Sequence, residues 1–278
     1  MKKILLPTDF SDNSFEAIRY ALLVYKDVKC TFYLLHTFNP PVYQTEYLLG
    51  SPGQIGLGDV LQETSLLKLE QLKKRLEDQY SNTNHTFIIH TAFNTLLNEI
   101  TEMTQSENID MIVMGTTGAT GAKEILFGSN TVNVIKKSKC PVIAIPPKFE
   151  YEAPIEILFP TDFEISYPKK EMEPLLLIAR QHKSRINVLH VRKTIELNIV
   201  QKENKKQLDR LLVNMAIFHS VADNEIIPAV NQFQEKNKIN LLVMVQNKHS
   251  FIEKLFIEPV IKKIGFHITI PFLVIPQK

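Results

Sequence analysis

Ile4-Leu-Leu-Pro-Thr-Asp-Phe10 returns later in the chain as Ile157-Leu-Phe-Pro-Thr-Asp-Phe163, identical at six of seven positions. Other strand-like segments recur in the same order, namely Leu34–Thr37 with Val188–Val191, Asp110–Met114 with Asn240–Met244, and Pro141–Pro146 with Pro271–Pro276. Such repetition indicates two related units in tandem. We predict that residues 1–148 form one domain and residues 149–278 the other.

Short apolar runs alternate with amphipathic segments along the chain. In the first half, strands are predicted over residues 3–6, 31–36, 86–91, 111–114 and 142–145, and helices over residues 13–28, 60–80, 95–107 and 130–138. This alternation is typical of a parallel sheet with helices on both faces. We therefore predict an α/β protein of two doubly wound domains, each a five-stranded sheet in the order 3-2-1-4-5.

Two local features refine this prediction. Asn13, with Glu16 three residues later, is expected to open the first helix through a capping box. The first half carries about 23 extra residues relative to the second, mostly within residues 38–59, which hold three prolines and four glycines. That stretch is predicted to be a long surface loop. Covering a ligand, contacting a partner and simple surface decoration all stay open as its role.

The composition limits the classes of partner. The 278 residues include 32 basic and 30 acidic side chains, interspersed along the chain, which disfavours nucleic acid and anionic membranes as partners. No apolar stretch approaches the roughly 18 residues of a membrane span, and Pro7 and Asp9 end the first apolar run too early for a signal peptide. We expect a cytoplasmic protein without membrane contact, with Cys30 and Cys140 as buried thiols.

A glycine-rich loop between a predicted strand and a predicted helix points to anion binding. Gly115, Gly118 and Gly128, the last followed by Ser129, are spaced G-x2-G-x9-G-S. Glycine permits positive φ and close approach of an anion, while the helix start supplies unpaired N–H groups at the positive end of its dipole. The alternative, that the glycines only end a strand and begin a helix, is less favoured for three glycines and a serine.

Two better-known phosphate motifs are absent from the sequence. Neither G-x4-G-K-[ST] nor G-x-G-x-x-G occurs. The lysine that meets the β and γ phosphates in P-loop enzymes is therefore missing, and Lys123, the nearest basic residue in sequence, is expected to lie in solvent. Binding without fast phosphoryl transfer fits this pattern better than an enzyme does.

The predicted strand order brings a second loop to the glycine loop. The carboxyl ends of strands one and four lie side by side, so residues 7–9 are expected to face the glycine loop. Asp9 is then placed to accept hydrogen bonds from a nucleotide sugar or base, with a turn or helix cap as its alternative role. His36 and His190 end equivalent strands, and we interpret them as structural rather than as a catalytic pair.

These residues resemble a known family. Pro7-Thr8-Asp9, Leu35-His36, Met114-Gly115, the G-x2-G-x9-G-S string and Asn133–Lys137 ahead of Cys140-Pro-Val are similar to universal stress proteins of the tandem, two-domain type. The resemblance covers both halves, and the glycine string is that of the family's ATP-binding branch. It implies the parallel fold above, dimers formed through the last strand, and ATP as cofactor, with or without Mg²⁺.

The resemblance also implies site residues and a role. Pro7, Thr8 and Asp9 would contact adenosine, Thr37 would lie beside the adenine, Met114, Gly115, Thr117 and Gly118 would line the nucleotide, and Gly128, Ser129 and Asn130 would hold phosphates and ribose. No catalytic residues and no metal ligands are implied. The expected function is a stress response through nucleotide-dependent interactions with a protein partner. A slow ATPase or nucleotide-processing enzyme and a ligand-free scaffold are the alternatives.

The second half departs from this pattern. An offset of 130 places Val245, Lys248 and Glu258 where the first half has its three glycines, and Pro259 in place of Ser129. A Glu near the phosphate position would repel an anion. We predict one nucleotide per chain, bound in the first half, and a degenerate second half. The apolar last strands of the two halves are expected to pair as an intramolecular pseudo-dimer, with homodimers as a further option.

Overall fold

The computed structural model describes residues 1–38, 57–117, 128–192, 196–222, 226–246 and 269–277. These residues form ten strands: β1 (Lys2–Pro7), β2 (Cys30–Phe38), β3 (His85–Phe93), β4 (Met111–Gly115), β5 (Val142–Ile145), β6 (Glu156–Pro160), β7 (Arg185–Arg192), β8 (Ala216–Ala222), β9 (Leu241–Gln246) and β10 (Phe272–Pro276). The same residues form seven helices: α1 (Asp12–Val24), α2 (Leu57–Gln79), α3 (Leu96–Ser106), α4 (Ser129–Lys137), α5 (Lys169–His182), α6 (Ile199–Leu211) and α7 (Ile226–Asn237).

All ten strands lie in one sheet, in the order β3-β2-β1-β4-β5-β10-β9-β6-β7-β8. Strands within each half pair in parallel, and each half has the order 3-2-1-4-5, as the sequence predicts. The last strands of the two halves pair antiparallel, with Ile143 opposite Leu273. The predicted fold class is therefore confirmed, and the two five-stranded sheets continue into each other.

Each face of this sheet carries a hydrophobic core that spans both halves. Side chains alternate between the faces, so Ile4 and Leu6 belong to one core and Leu5 to the other. Helices α1, α2, α5 and α6 contribute buried residues to the first core, and α3, α4 and α7 to the second. Because both cores cross the β5–β10 seam, the two halves share their apolar interior.

The repeated Thr-Asp-Phe sequence forms the same turn twice. Phe10 and Phe163 both have positive φ, 63° and 59°. In each turn the phenylalanine N–H donates to the preceding threonine hydroxyl at 3.0 Å, Thr8 in the first half and Thr161 in the second. This hydrogen bond stabilises a backbone conformation that a bulky residue rarely adopts, which accounts for the identity of the two segments.

The first helix begins and ends differently from the prediction. Its N-cap is Ser11, whose side chain accepts from the N–H of Ser14, so the predicted capping box of Asn13 and Glu16 is wrong. The helix stops at Val24 rather than at residue 28, because a turn follows it. The Asn13 side chain is instead engaged with distant segments, as described below.

Other predicted boundaries shift by a few residues. Helices α2 and α4 begin at Leu57 and Ser129, three residues and one residue earlier than predicted, and β2 and β3 run further, to Phe38 and Phe93. Most of the predicted long loop, residues 39–56, lies outside the described residues.

The connection from β5 to β6 packs across α1. The ring of Tyr20 on α1 lies 6.0 Å from that of Phe149 and 5.7 Å from that of Tyr151. The N–H of Lys148 donates to Glu16 at 3.0 Å. The connection is therefore part of the packed structure and covers the outer side of α1.

Both cysteines are free and buried, as the sequence predicts. Burial raises the pKa of the Cys30 thiol to about 12, so this thiol stays protonated at neutral pH. Among the described residues, no helix has the length and apolarity that crossing a membrane requires.

The shared cores lead to a prediction about unfolding. We expect Leu273→Ala, at a fully buried site on β10, to lower the free energy of unfolding by about 2–5 kcal/mol. Circular dichroism and tyrosine fluorescence during urea unfolding should both report one transition, at a lower midpoint than in the unaltered chain. Ile217→Ala, at a 45% exposed site on the edge strand β8, is the control and should cost less than about 1 kcal/mol. Two resolved transitions would contradict the shared interior.

Candidate functional site

A cavity of about 350 Å³ opens at the carboxyl ends of β1 and β4, the neighbouring strands from which the chain winds in opposite directions. Parallel α/β sheets commonly bind ligands at this position, and the volume is that of a small-molecule site. Ten of the eleven predicted site residues line the cavity: Pro7, Thr8, Asp9, Thr37, Met114, Gly115, Thr117, Gly128, Ser129 and Asn130. The remaining one, Gly118, lies outside the described residues.

The turn after β1 forms one wall of the cavity. Thr8 is buried, and its N–H donates to the carbonyl oxygen of Leu35 at 2.8 Å, which ties the turn to β2. Asp9 is exposed, and its Oδ1 accepts hydrogen bonds from the N–H and the hydroxyl of Ser11, at 3.1 and 2.5 Å. Asp9 therefore caps this turn. The same two hydrogen bonds hold its carboxylate at the edge of the cavity.

Asn13 holds the start of the glycine loop in place. Its Oδ1 accepts from the N–H and the hydroxyl of Thr117, at 3.0 and 3.1 Å, and its Nδ2 donates to the carbonyl oxygen of Ile145 at 3.1 Å. A Cβ added at Gly115 would lie 2.5 Å from Asn13 Oδ1. Glycine is needed at position 115 because the asparagine amide occupies the space that a side chain would fill.

The amino terminus of α4 forms the opposite wall. Gly128 is its N-cap, and no described side chain caps this end of the helix. Thr131 uses its hydroxyl to donate to the carbonyl oxygen of Gly115 at 2.9 Å, which joins the helix start to the end of β4. The N–H groups of the first turn have no partner within the helix and lie at the positive end of its dipole. This end of α4 therefore favours an anion or a hydrogen-bond acceptor.

The expected use of positive φ is wrong for the two loop glycines that the structure describes. Gly128 has φ −60° and ψ 153°, which is extended backbone. Gly115 is also outside the positive-φ region, and its lack of a side chain serves the contact with Asn13. The space at Gly115 is thus taken up by Asn13, and close approach of an anion to the glycine loop stays a prediction.

Four further residues line the cavity that the sequence prediction did not include: Ser14, His36, Leu96 and Thr131. Ser14 lies in the first turn of α1, and its hydroxyl lies 3.0 Å from that of Thr8. Thr131 directly follows the predicted Asn130 and could have been found from its place in the first turn of the helix. Leu96 begins α3, and no sequence motif marks it.

His36 is held by neighbours on α2 and in the first turn. Its Nδ1 shares a hydrogen bond of 2.8 Å with Ser65 Oγ, and its ring lies 4.7 Å from that of Phe10. Burial and the charge of Lys68 lower the pKa of His36, with Asp9 acting in the opposite direction, so the imidazole is neutral at pH 7. Ser65 is buried and does not line the cavity, so its bond to His36 is structural.

The cavity lining carries little charge. Among the described lining residues, Asp9 is the sole carboxylate, and there is no lysine or arginine. Within the described ranges, no group of three or more His, Cys, Asp and Glu side chains is arranged to hold a metal ion. An anion here would be bound by backbone N–H groups and by the hydroxyls of residues such as Thr117 and Ser129.

The second half keeps the turn but changes its surroundings. Asp162 Oδ1 accepts from the N–H of Glu164 at 3.0 Å, as Asp9 Oδ1 accepts from the N–H of Ser11 in the first half. Val245 pairs with Ile275 as Gly115 pairs with Ile145, so a β-branched residue stands at the position of the first loop glycine. The predicted counterparts of the other cradle residues, 248, 258 and 259, lie outside the described residues.

Comparisons with known proteins agree with this architecture. The family model described as the universal stress protein family matches residues 1–146. Universal stress protein MJ0531 of Methanocaldococcus jannaschii is 34% identical over 153 residues, which cover 54% of this chain and 85% of that protein. Universal stress protein Slr1230 of Synechocystis sp. is 24% identical over 299 aligned positions, which cover 98% of this chain and 99% of that protein.

A solved structure extends the likeness to the whole fold. The crystal structure of a universal stress protein from Archaeoglobus fulgidus superposes with a TM-score of 0.70 at 18% identity, over 99% of this chain and 96% of that one. The tandem arrangement of ten strands is therefore shared by a protein with little sequence in common. Since the family model covers more than half of the residues, the chain belongs to the universal stress protein family.

Proposed function

We propose that the cavity at the carboxyl ends of β1 and β4 binds ATP, and that the bound nucleotide alters a surface read by a protein partner. The observation that carries this proposal is the convergence of the uncapped start of α4 and the Asp9 turn on one cavity. The start of α4 suits phosphates and the Asp9 turn suits a nucleoside, so a ligand that contains both parts fits the cavity.

The phosphate end of the ligand would lie at the start of α4. Backbone N–H groups of the first turn, together with the hydroxyls of Thr117 and Ser129, supply donors in a helix dipole that attracts negative charge. Gly128 presents no side chain that would obstruct an anion at this end. These backbone and hydroxyl donors can therefore hold a polyphosphate without the help of a cationic side chain.

The nucleoside end would lie between the turn after β1 and the end of β2. Asp9 is held by Ser11 at the cavity edge, where its carboxylate can accept from ribose hydroxyls. The neutral His36 ring and Thr37 line the same side, where a planar base would find an apolar face and a polar edge.

We further propose that each chain binds one nucleotide. Residues 1–148 would form the binding domain and residues 149–278 a degenerate partner domain. Val245 in place of Gly115 supports this proposal, because a branched side chain there leaves no space for an asparagine contact of the kind made by Asn13. ATP binding, rather than hydrolysis, is the function that the described lining supports, since no cationic side chain or carboxylate pair lies beside the start of α4.

We expect one ATP site per chain and a strong dependence of ATP affinity on the start of α4. Calorimetric titration with ATP should give one site per chain. In Gly128→Glu the new carboxylate lies at the proposed phosphate site, and ATP affinity should fall by about tenfold or more, that is by at least about 1.4 kcal/mol. An acidic residue at a helix start is favourable for the helix itself, so the variant should fold.

The matched control for this experiment is Gln71→Glu, which adds the same charge at an exposed position on α2. Its ATP affinity should equal that of the unaltered chain. A stoichiometry of two, or equal affinity in Gly128→Glu and Gln71→Glu, would rule out the proposed site. Chromatography of the nucleotide after long incubation separates a binder, which returns ATP, from a slow ATPase, which yields ADP.

The contact between Asn13 and Gly115 should appear as a coupling between the effects of their substitutions on the free energy of unfolding. Gly115→Ala should lower the free energy of unfolding by about 1–3 kcal/mol, because the new methyl group displaces the asparagine amide. Asn13→Ala should cost a similar amount through its lost hydrogen bonds. The double variant should cost at least about 0.5 kcal/mol less than the sum, since removing the amide makes space for the methyl group. Denaturant unfolding of the four proteins measures this coupling, and strict additivity would disprove it.

A further inference from the structure

A second cavity, distinct from the site above, lies at the amino ends of β1 and β4. This groove has a volume of about 1150 Å³ and runs between the first half and the start of α5. Its apolar lining comes from both halves, and the half-buried members that present surface to an occupant include Pro141, Pro174, Leu177 and Pro276. A groove of this size exceeds the needs of a small ligand and suits a peptide segment.

The rim of the groove is basic. Lys137 and Lys139 border it at the end of α4, and Lys169 and Lys170 border it at the start of α5. None of these four lysines forms an ion pair with any residue that the structure describes. Lys169 and Lys170 also lie at the positive end of a helix dipole, where positive charge is unfavourable. The same lining also holds Lys2 and the three carboxylates of Asp110, Glu171 and Glu173. Asp110 pairs with Lys2 and Glu173 pairs with Arg180, so the lining keeps a net positive charge, which favours an acidic occupant.

The equivalent groove in the other half is filled by the chain itself. The two halves are related by matching hydrogen bonds: the N–H of Lys3 donates to the Asp110 side chain at 2.8 Å, and that of Glu156 donates to the Asn240 side chain at 3.0 Å. Asp110 lines the open groove. In the other half, the equivalent residue Asn240 faces the connection between β5 and β6. Its side-chain amide donates to the carboxylate of Glu152 at 2.6 Å.

The path of that connection shows what such a groove accommodates. The segment leaves β5 and packs Phe149 and Tyr151 against Tyr20 on α1. Its Glu152 side chain then accepts a hydrogen bond from Asn240. The segment turns at Pro147 and Lys148, where Lys148 has φ 61°, and its aromatic side chains then alternate with acidic residues in the sequence Phe-Glu-Tyr-Glu. The equivalent path in the other half would leave β10, cross α5 and reach Asp110, and none of the described residues fills the groove along this path.

We propose that the groove between α5 and the amino ends of β1 and β4 binds an extended acidic segment of a partner protein, with aromatic side chains on its apolar lining and carboxylates at the lysine rim. The segment takes the position that the β5–β6 connection takes in the other half. This surface is separate from the ATP cavity, so the inference does not depend on the proposed nucleotide binding.

The test uses a fluorescein-labelled peptide with the sequence of residues 146–154 and Lys148 replaced by Glu, which gives three acidic residues around the two aromatic ones. Fluorescence anisotropy with the full chain should show saturable binding, with a Kd on the order of 10–100 µM at low ionic strength. Added salt should weaken binding, because the contacts at the rim are charged and exposed. A peptide with both aromatic residues replaced by alanine should bind at least about tenfold more weakly.

Variants of the protein locate the binding. In Lys169→Glu/Lys170→Glu the affinity should fall by about tenfold or more, while Lys202→Glu/Lys206→Glu, the same charge change at exposed positions on α6, should leave it unchanged within about twofold. Circular dichroism melts check that both variants fold. Absence of saturable binding up to about 1 mM peptide, or equal loss in the two variants, would overturn the proposal.

A single-stranded oligonucleotide provides the remaining comparison. A basic rim also attracts phosphates, and decathymidylate is the probe for that kind of partner. The proposal expects the peptide, and not the oligonucleotide, to lose affinity specifically in Lys169→Glu/Lys170→Glu. If decathymidylate depends on those lysines and the peptide does not bind, the surface recognises nucleic acid and the proposal is wrong.

Discussion

The antiparallel pairing of β5 with β10 is the interaction on which the rest of the molecule depends. Three residue pairs, centred on Ile143 and Leu273, join two parallel sheets that run in opposite directions. Because the pairing continues the sheet, each face carries one apolar core across both halves, and the carboxyl ends of one half lie at the amino ends of the other. The cavity at the carboxyl ends of β1 and β4 and the basic groove therefore open at opposite ends of the first half.

The same pairing makes the two halves unequal. A chain that is nearly symmetric about the seam has one covalent connection between its halves, and that connection must pass on one side. It covers α1 through Phe149 and Tyr151, while the corresponding side of α5 stays open among the described residues. The internal repeat thus has one side covered by the connection and one side left open by the described residues.

Around the cavity, close packing and helix ends act together. Asn13 occupies the space next to Gly115 and holds Thr117 by two hydrogen bonds, so the loop leaves β4 in a fixed direction. The start of α4 then provides donors without a competing side-chain cap. Hydrogen-bond donors that are fixed in advance favour ligand binding because little order has to be imposed when the ligand arrives.

The fold class and the internal repeat could be predicted from the sequence because strand and helix periodicity is a local property, and the family resemblance supplied ten residues of the cavity lining. His36 was missed as a cavity residue and Asn13 was misassigned as a cap, since their contacts join segments far apart in the chain. The close approach of Asn13 to Gly115, and the cover that residues near Tyr151 give to one side of the seam, became evident from the three-dimensional structure alone. Both depend on distances between elements, which no local pattern encodes.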